Sequence, residues 1–429
     1  MLDIVKDRII QVQNGMVPDG YTWKWHLMPS TWKDVPLSRM FSFNAPKNKG
    51  NYCNVVFTNS AEHGIIPQTE YFDKEIANQE NTEGYYIVHP GDYVYNPRIS
   101  EHAPYGPFKR NDTNMTGIVS PLYTVISPRK EFEHCEFLRY YLESNLWHKY
   151  AYSIANYGAR FDRMNITVQD LMELPVALPP TNEREKIAQV LAQCDKVIKL
   201  KEQRIANERK KKEWLSQRLL TPSHTNADMW KCVCLSTLCK NILDGDWIES
   251  KDQSDNGIRL IQTGNIGVGK YLDKPNRAKY ISEETFFTLK CTEVLNGDVL
   301  VSRLPDPIGR ACFIDGLQNR AITAVDCSIL RFESLTMAKL FVQIASTNKY
   351  FNEIYNLAGG STRTRIARKD LEKLRITIPV SKDYQEKILQ VLFEQDRLID
   401  ALVNEVDLLK SKKQAVMKLL LTGIVRIKL

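Results

Sequence analysis

The segment Gly264-Asn265-Ile266-Gly267-Val268-Gly269-Lys270 has the glycine and lysine spacing of a loop that cradles phosphates. The residue after the lysine is Tyr271, where a Ser or Thr hydroxyl would ligate magnesium. Pro275 then interrupts the helix whose N-terminus would hold the phosphates. A glycine-rich turn between strands is the expected structure. Cys232, Cys234 and Cys239 follow His224 without the Cys-x-x-Cys step of a structural zinc site, so alternating cysteines buried as small apolar side chains at a strand edge are expected. His26, His63, His89, His102, His134 and His148 form no metal-ligand pair and stand beside no nucleophile. No catalytic centre, no metal site and no cofactor site is expected.

Tyr95-Asn96-Pro97-Arg98 shares two residues with the Asn-Pro-Pro-aromatic pattern by which adenine N6-methyltransferases grip a flipped base. Arg98 replaces the second proline, no aromatic follows, and no glycine-rich cofactor loop stands upstream. Self-contained methyl transfer is not expected. Polar cationic loops remain. Arg363, Arg365 and Arg368 follow Gly359-Gly360-Ser361-Thr362 with no carboxylate before Asp370, and Arg160 and Arg163 hold the corresponding place after Gly158. Asn96, Arg98, Lys109 and Arg110 follow Gly91-Asp92, Arg303 and Arg310 follow Gly297-Asp298, and Gln262, Thr263 and Asn265 lie at the glycine-rich turn. Guanidinium, ammonium, amide and hydroxyl groups on loops suit phosphate contact and base-edge readout, so these residues, with Thr362, are the candidate DNA contacts.

The elements that must position these loops occur twice. Asp170-Leu171-Met172-Glu173-Leu174 precedes an apolar run ending at Pro179, and Asp370-Leu371-Glu372-Lys373-Leu374 precedes one ending at Pro379, an offset of 200. Glu185-Lys186-Ile187-Ala188-Gln189-Val190-Leu191 then matches Glu386-Lys387-Ile388-Leu389-Gln390-Val391-Leu392 at 201, and that register continues to Leu219-Leu220-Thr221 and Leu420-Leu421-Thr422. More loosely, Trp32 to Ser38 corresponds to Trp230 to Ser236, and Gly91-Asp92 to Gly297-Asp298. A period near 200 is a domain duplication, too long for a solenoid unit.

After each proline comes a helix with a heptad seam. Ile388, Leu392, Gln395, Ile399, Leu402, Val406, Leu409, Lys413, Val416 and Leu420 alternate steps of four and three, eight of the ten being apolar. The first copy reads Ile187, Leu191, Cys194, Ile198, Lys201, Ile205, Glu208, Lys212, Leu215 and Leu219, with seven apolar; its Lys201, Glu208 and Lys212 are suited to setting register. About 37 residues make a rod of about 55 Å, roughly 16 base pairs of duplex. Short β-type runs at Tyr85 to Val88, Tyr93 to Tyr95, Ile118 to Ile126, Val299 to Val301, Ala311 to Ile314 and Ser328 to Phe332 precede helical stretches near Glu131 to Tyr152 and Leu335 to Ile354. The expected fold is α+β: two duplicated domains, 21–180 and 223–380, with long helices 181–222 and 381–429 that pack on each other, after an N-terminal arm, 1–20.

Composition allows this. The chain has 429 residues, 43% of them apolar, which suggests two to four domains. Fifty-eight Lys and Arg against 51 Asp and Glu give +7, a mild excess that permits a nucleic-acid partner without requiring one. Nine unevenly spaced cysteines fit a reducing compartment, and no apolar run is long enough to span a bilayer, so a cytoplasmic location away from membranes is expected.

The paired variable domains, each followed by a proline and a helix carrying Glu-Lys-Ile-x-Gln-Val-Leu, resemble the specificity subunit of Type I restriction-modification systems along essentially the whole chain. That resemblance implies two target recognition domains separated by the long helices, packed as an antiparallel, pseudo-twofold coiled coil, and no catalysis in the chain itself. Each domain would read one half of a split, asymmetric site in double-stranded DNA. The helices, through Ile187, Leu191, Ile198, Leu215, Leu219, Ile388, Leu392, Ile399, Leu402, Val406, Val416 and Leu420, would space the halves and dock subunits. The implied partners are two modification (methyltransferase) subunits, which carry S-adenosylmethionine, and restriction (endonuclease/translocase) subunits, which use ATP and Mg. Tyr21-Thr22-Trp23-Lys24-Trp25 departs from the pattern, having no match before Trp230. The residues alone leave open a coiled-coil scaffold that binds proteins and a methyltransferase with its own recognition domains.

Overall fold

Two long helices, a central one at Thr181–Leu219 and a distal one at Lys382–Leu421, run through the computed structural model, which describes residues 2–71, 82–155, 162–223, 225–359 and 364–427. The chain divides into two units, Met1–Leu200 with Val406–Leu429, and Lys201–Glu405, so each unit holds one end of both helices. In the second unit Lys201 Nζ lies 2.8 Å from Glu405 and Lys212 Nζ 2.5 Å from Asp396. One number rises as the other falls, so the helices are antiparallel. In the first unit Ile187, Ala188 and Leu191 share a core with Leu420 and Leu421, while Asp195 meets Lys413 at 2.5 Å, the same sense.

The seam accounts for the pairing. Ile187, Leu191, Ile198, Ile205, Ile388, Leu392, Ile399, Leu402, Val406 and Leu420 are buried, and Leu215, Leu219 and Val416 half-buried. Its polar members pair across the helices: Lys201, Lys212 and Lys413 with Glu405, Asp396 and Asp195 beside the seam, and Gln395 with Glu208 within it, Gln395 Nε2 donating at 2.8 Å. Of the apolar seam residues, Ile187, Leu191, Val416 and Leu420 pack into the core of the first unit, and Leu215, Leu219, Ile388 and Leu392 into that of the second. Val190, Val197, Trp214, Val391 and Leu408, between 40% and 54% exposed, occupy the outer faces.

Each unit repeats one four-stranded antiparallel sheet. Its spatial order is Phe41–Phe43, Thr124–Pro128, Tyr93–Tyr95, Phe108–Arg110 in the first unit and Cys239–Asp244, Cys327–Phe332, Val299–Ser302, Ala311–Phe313 in the second. The strand preceded by or begun with tryptophan pairs with the strand that leads into each long helix: Lys33–Pro36 with Pro175–Leu178, and Trp230–Cys234 with Arg375–Pro379. The Asp-Leu-x-x-Leu motif makes that return. It forms the short helices Val168–Met172 and Arg368–Lys373 and the residues just after them; Leu171 and Leu371 within the helices and Leu174 and Leu374 just past their ends are buried. The halves differ in a second sheet. The second unit has five strands there, in the order Gln253–Ser254, Lys279–Ile281, Ile258–Ile261, Ala321–Thr323, Glu293–Val294; among the described residues the first has two pairs, Phe57–Ser60 with Gly64–Pro67 and Tyr86–Val88 with Gly117–Val119, linked by a single bridge of Val56 to Ile118.

Three local expectations change. Ile118 to Ile126 is not one strand, because a turn closed by Tyr123 N–H to the Ser120 carbonyl, with Pro121 inside it, separates Gly117–Val119 from Thr124–Pro128. Each long helical stretch is two helices, Glu136–Glu143 with His148–Ile154 and Leu335–Ile344 with Asn348–Leu357, the last capped by the Thr347 hydroxyl. Of the cysteines expected to be buried, Cys232 is exposed and Cys234 and Cys239 are half-buried; Arg375 on the paired strand donates Nε–H to the Cys232 sulfur at 3.3 Å. Among the described residues, no helix is long and apolar enough to cross a membrane.

Burial holds the His148 imidazole down at about 4. In the unfolded chain a histidine titrates near its ordinary 6.5 and takes up a proton where the folded one does not. This contribution to stability is therefore full above about pH 6.5, declines as pH falls toward 4, and then levels off. His148→Asn, which copies Asn348 at the matching place in the second half, is expected to flatten the decline. Thermal melts of the two proteins from pH 7 to pH 4 check it; parallel curves would remove His148 as the cause.

Candidate nucleic-acid interface

The Gly-Asp landmark is a turn that launches a strand. Gly91 and Gly297 adopt φ of 87° and 99°, open to glycine and costly to other residues. The following carboxylates, Asp92 and Asp298, accept the backbone N–H of His89 at 2.7 Å and of Leu295 at 2.9 Å, closing the turn. Each strand then runs outward into a candidate loop. In the first unit Met164 N–H donates to the Pro97 carbonyl at 2.8 Å and Ile99 N–H to that of Asp162 at 3.0 Å. In the second, Ile366 N–H donates to the Arg303 carbonyl at 3.2 Å. The loop after the Gly-Asp strand and the loop before the Asp-Leu-x-x-Leu helix are thus joined in both units.

This join gathers part of the candidate set. Arg98, exposed, and Arg163, half-buried, form an antiparallel bridge. Both lie close enough to Tyr123 to favour its charged form, while burial pushes its phenol above the ordinary value. In the second unit Arg365 faces Asp326 at 3.4 Å with its side chain 42% exposed, and Arg368 faces Asp244 at 3.3 Å and Glu372 at 3.1 Å. Arg160, Thr362 and Arg363 lie outside the described residues.

The rest of the set turns inward. Arg310 is 8% exposed and its guanidinium donates to four backbone carbonyls, those of Thr263, Ile266, Leu304 and Pro307, at 2.6–3.1 Å. It staples the loop together. Arg303, 5% exposed, is held by Asp244 at 3.3 Å and by the Val325 carbonyl. Burial lowers the pKa of both guanidinia. Arg110 is clamped by both oxygens of Glu136 and by Asp112 at 2.5 Å. Lys109, 20% exposed, stands 3.9 Å from Glu143. Asn96 is buried, donating to the Asn59 carbonyl and the Tyr123 hydroxyl and accepting from Arg98 N–H. Gln262 and Asn265 cap each other across a 3₁₀ turn, and buried Asn265 also donates to the Leu272 carbonyl. Thr263 sits in that turn, half-buried. The glycine-rich segment is a turn between strands, as expected, and its Lys270 is bound to Asp400 of the distal helix at 2.8 Å.

Tyr123, Asp244 and Asp326 belong to these rims and were not candidates. Their one sequence signal is position, each lying at or beside an end of a strand in the repeated sheet. Cavities of about 490 Å³ in the first unit and 740 Å³ in the second lie elsewhere, against the ends of the long helices and the turn joining each helix pair.

The family model for the Type I restriction modification DNA specificity domain matches residues 29–208 and again 228–408. The chain belongs to that family. The two matched specificity domains coincide with the two copies of the repeat. Among relatives from Methanocaldococcus jannaschii, the MjaVIII specificity subunit is 22% identical over 59% of this chain and 63% of its own length. A putative MjaX specificity subunit is 25% identical over 67% of this chain and 68% of its own. The match thus spans less than two thirds of the first relative. A chain solved for complex assembly and conformational transition of the type I R-M system covers 94% of this chain and 100% of itself, with TM-score 0.55 and 18% identity, a likeness of fold.

Proposed function

We propose that this chain is the DNA-recognition subunit of a Type I restriction-modification complex and has no catalysis of its own. Specificity domains 21–180 and 223–380 each read one half of a bipartite, asymmetric site. Helices 181–222 and 381–429 set the spacing, and their exposed apolar side chains dock two modification subunits, through which restriction subunits join. S-adenosylmethionine, ATP and Mg act in those partners, and the complex works in the cytoplasm. Residues 1–20 are an arm on the first domain.

The observation that carries this reading is the repeated join. Two dissimilar domains use the same backbone connection to present arginines on one rim, Arg98 and Arg163 in one and Arg365 and Arg368 in the other. Partly exposed guanidinia on a fixed edge suit phosphate and guanine contact. The unlike second sheets supply unlike neighbours, which suits a site whose halves differ. Arg365→Ala is expected to weaken specific binding by about 1–3 kcal/mol if the arginine reads a base. Gel shifts of the complex with its modification subunits, on the motif lost from the methylome when this chain is deleted, measure it. Affinity no higher for that motif than for random duplex, or affinity indifferent to salt, would sink the reading.

A further inference from the structure

We propose that Asp195 and Asp396 are positioning residues that lock each specificity domain onto its own end of the helix pair, and so set how strictly the distance between half-sites is measured. The proposal rests on the reading that both halves of the site are bound together.

Asp195, on the central helix, accepts Lys413 Nζ of the distal helix at 2.5 Å and the phenol of Tyr140 at 2.9 Å. Tyr140 belongs to Glu136–Glu143, a helix of the first specificity domain. Asp396, on the distal helix, accepts Lys212 Nζ of the central helix at 2.5 Å and the Gln343 amide at 3.0 Å, from Leu335–Ile344 of the second domain. The offset of 201 carries one Asp and Lys pair onto the other. It does not carry Tyr140 onto Gln343, whose helices have dissimilar sequences. Two unlike side chains, 1% and 4% exposed, have arrived at one task, a donor delivered to the second oxygen of the helix aspartate.

The surroundings show what the bond adds. Around these bonds the packing is mostly apolar: Phe137, Leu138 and Tyr141 share a core with Ile187 and Leu191, and Leu340 and Phe341 share one with Ile388 and Leu392. The other polar ties of domain to helix, Trp32 to Glu183 in the first unit and Lys270 to Asp400 and Asn348 to Glu213 in the second, sit at other positions on the helices. Apolar burial is non-directional and tolerates sliding, whereas a hydrogen bond to a charged group fixes distance and angle. Gln343 also carries a cost, because its Oε1 is buried without a partner. An apolar side chain would avoid that cost, and only the amide donor offsets it. Lys413 Nζ, 5.2 Å from the centre of the Tyr140 ring, closes the first joint from the other side.

The test uses the full chain with its modification subunits and compares methylation of duplexes with half-sites at the native spacing and one base pair longer or shorter. Tyr140→Phe and Gln343→Leu remove one hydrogen bond each and leave the apolar packing. Asp195→Asn and Asp396→Asn weaken both bonds of a joint. Each is expected to keep methylation at the native spacing near wild type and to raise the relative rate at the wrong spacings about tenfold, the equivalent of one charge-assisted hydrogen bond. Wild-type discrimination retained in Tyr140→Phe and Gln343→Leu would overturn the proposal even if the aspartate variants failed to fold. A wild-type complex indifferent to spacing would overturn the bipartite reading, and this proposal with it.

Discussion

Arg426→Ala is expected to lower the stability of the first unit by about 3 kcal/mol, the low end for breaking a buried ion pair, because the arginine itself is partly exposed. Glu183 is 4% exposed, and its two oxygens receive the Arg426 guanidinium at 2.5 and 2.7 Å and the Trp32 indole N–H at 3.0 Å. The guanidinium also lies 5.8 Å from the centre of the Trp32 ring. Without Arg426 a buried carboxylate keeps only the indole. The second half has solved the same corner differently: Tyr384 stands at the place of Glu183 and packs edge-on against Trp230 at 6.2 Å. Glu183→Tyr with Arg426→Thr, copying Tyr384 and Thr225, is therefore expected to recover much of the loss. Calorimetric melts of wild type and both variants check it. A single substitution as stable as wild type would show that the carboxylate is not confined.

Arg310→Met is expected to cost the second unit about 4 kcal/mol, since up to four buried carbonyls lose their donor and each unsatisfied group is worth roughly 1–3 kcal/mol without full additivity. DNA affinity per folded molecule should stay unchanged. Arg365→Ala should do the reverse, leaving the melt alone and weakening binding. Measuring thermal stability and DNA affinity on both variants separates the roles. If Arg310→Met melted like wild type and lost DNA, the staple would be wrong and the loop arginine would belong to the interface.

These contrasts mark where sequence reasoning stops. Seam, duplication and the Asp-Leu-x-x-Leu return were legible because each depends on local period or on a constant offset. The direction of an arginine depends on acceptors far along the chain. Arg310 is held by carbonyls at 263, 266, 304 and 307, and Arg110 by Glu136 on another element. Nothing in the local pattern of Arg310 distinguishes it from Arg365. The Glu183 and Arg426 pair is separated by 243 residues. Its trace in the sequence is a lapse of the repeat: Thr181 to Arg184 match none of Lys382 to Gln385, and the identities resume at Glu185 and Glu386. Departures from register inside a duplicated segment mark places where the halves use different chemistry.

The division of the chain has a consequence for its birth. The second unit, Lys201–Glu405, is one continuous segment, whereas the first needs Val406–Leu429 to complete it. On a ribosome, the domain whose sequence comes first is therefore the last to close. Until Arg426 emerges, Trp32 and Glu183 wait without their lid, and Asp195 waits for Lys413. Nascent chains in which Glu405 has just cleared the ribosomal exit tunnel would carry a closed second unit and an open first one, the reverse of the usual order in which domains mature during synthesis.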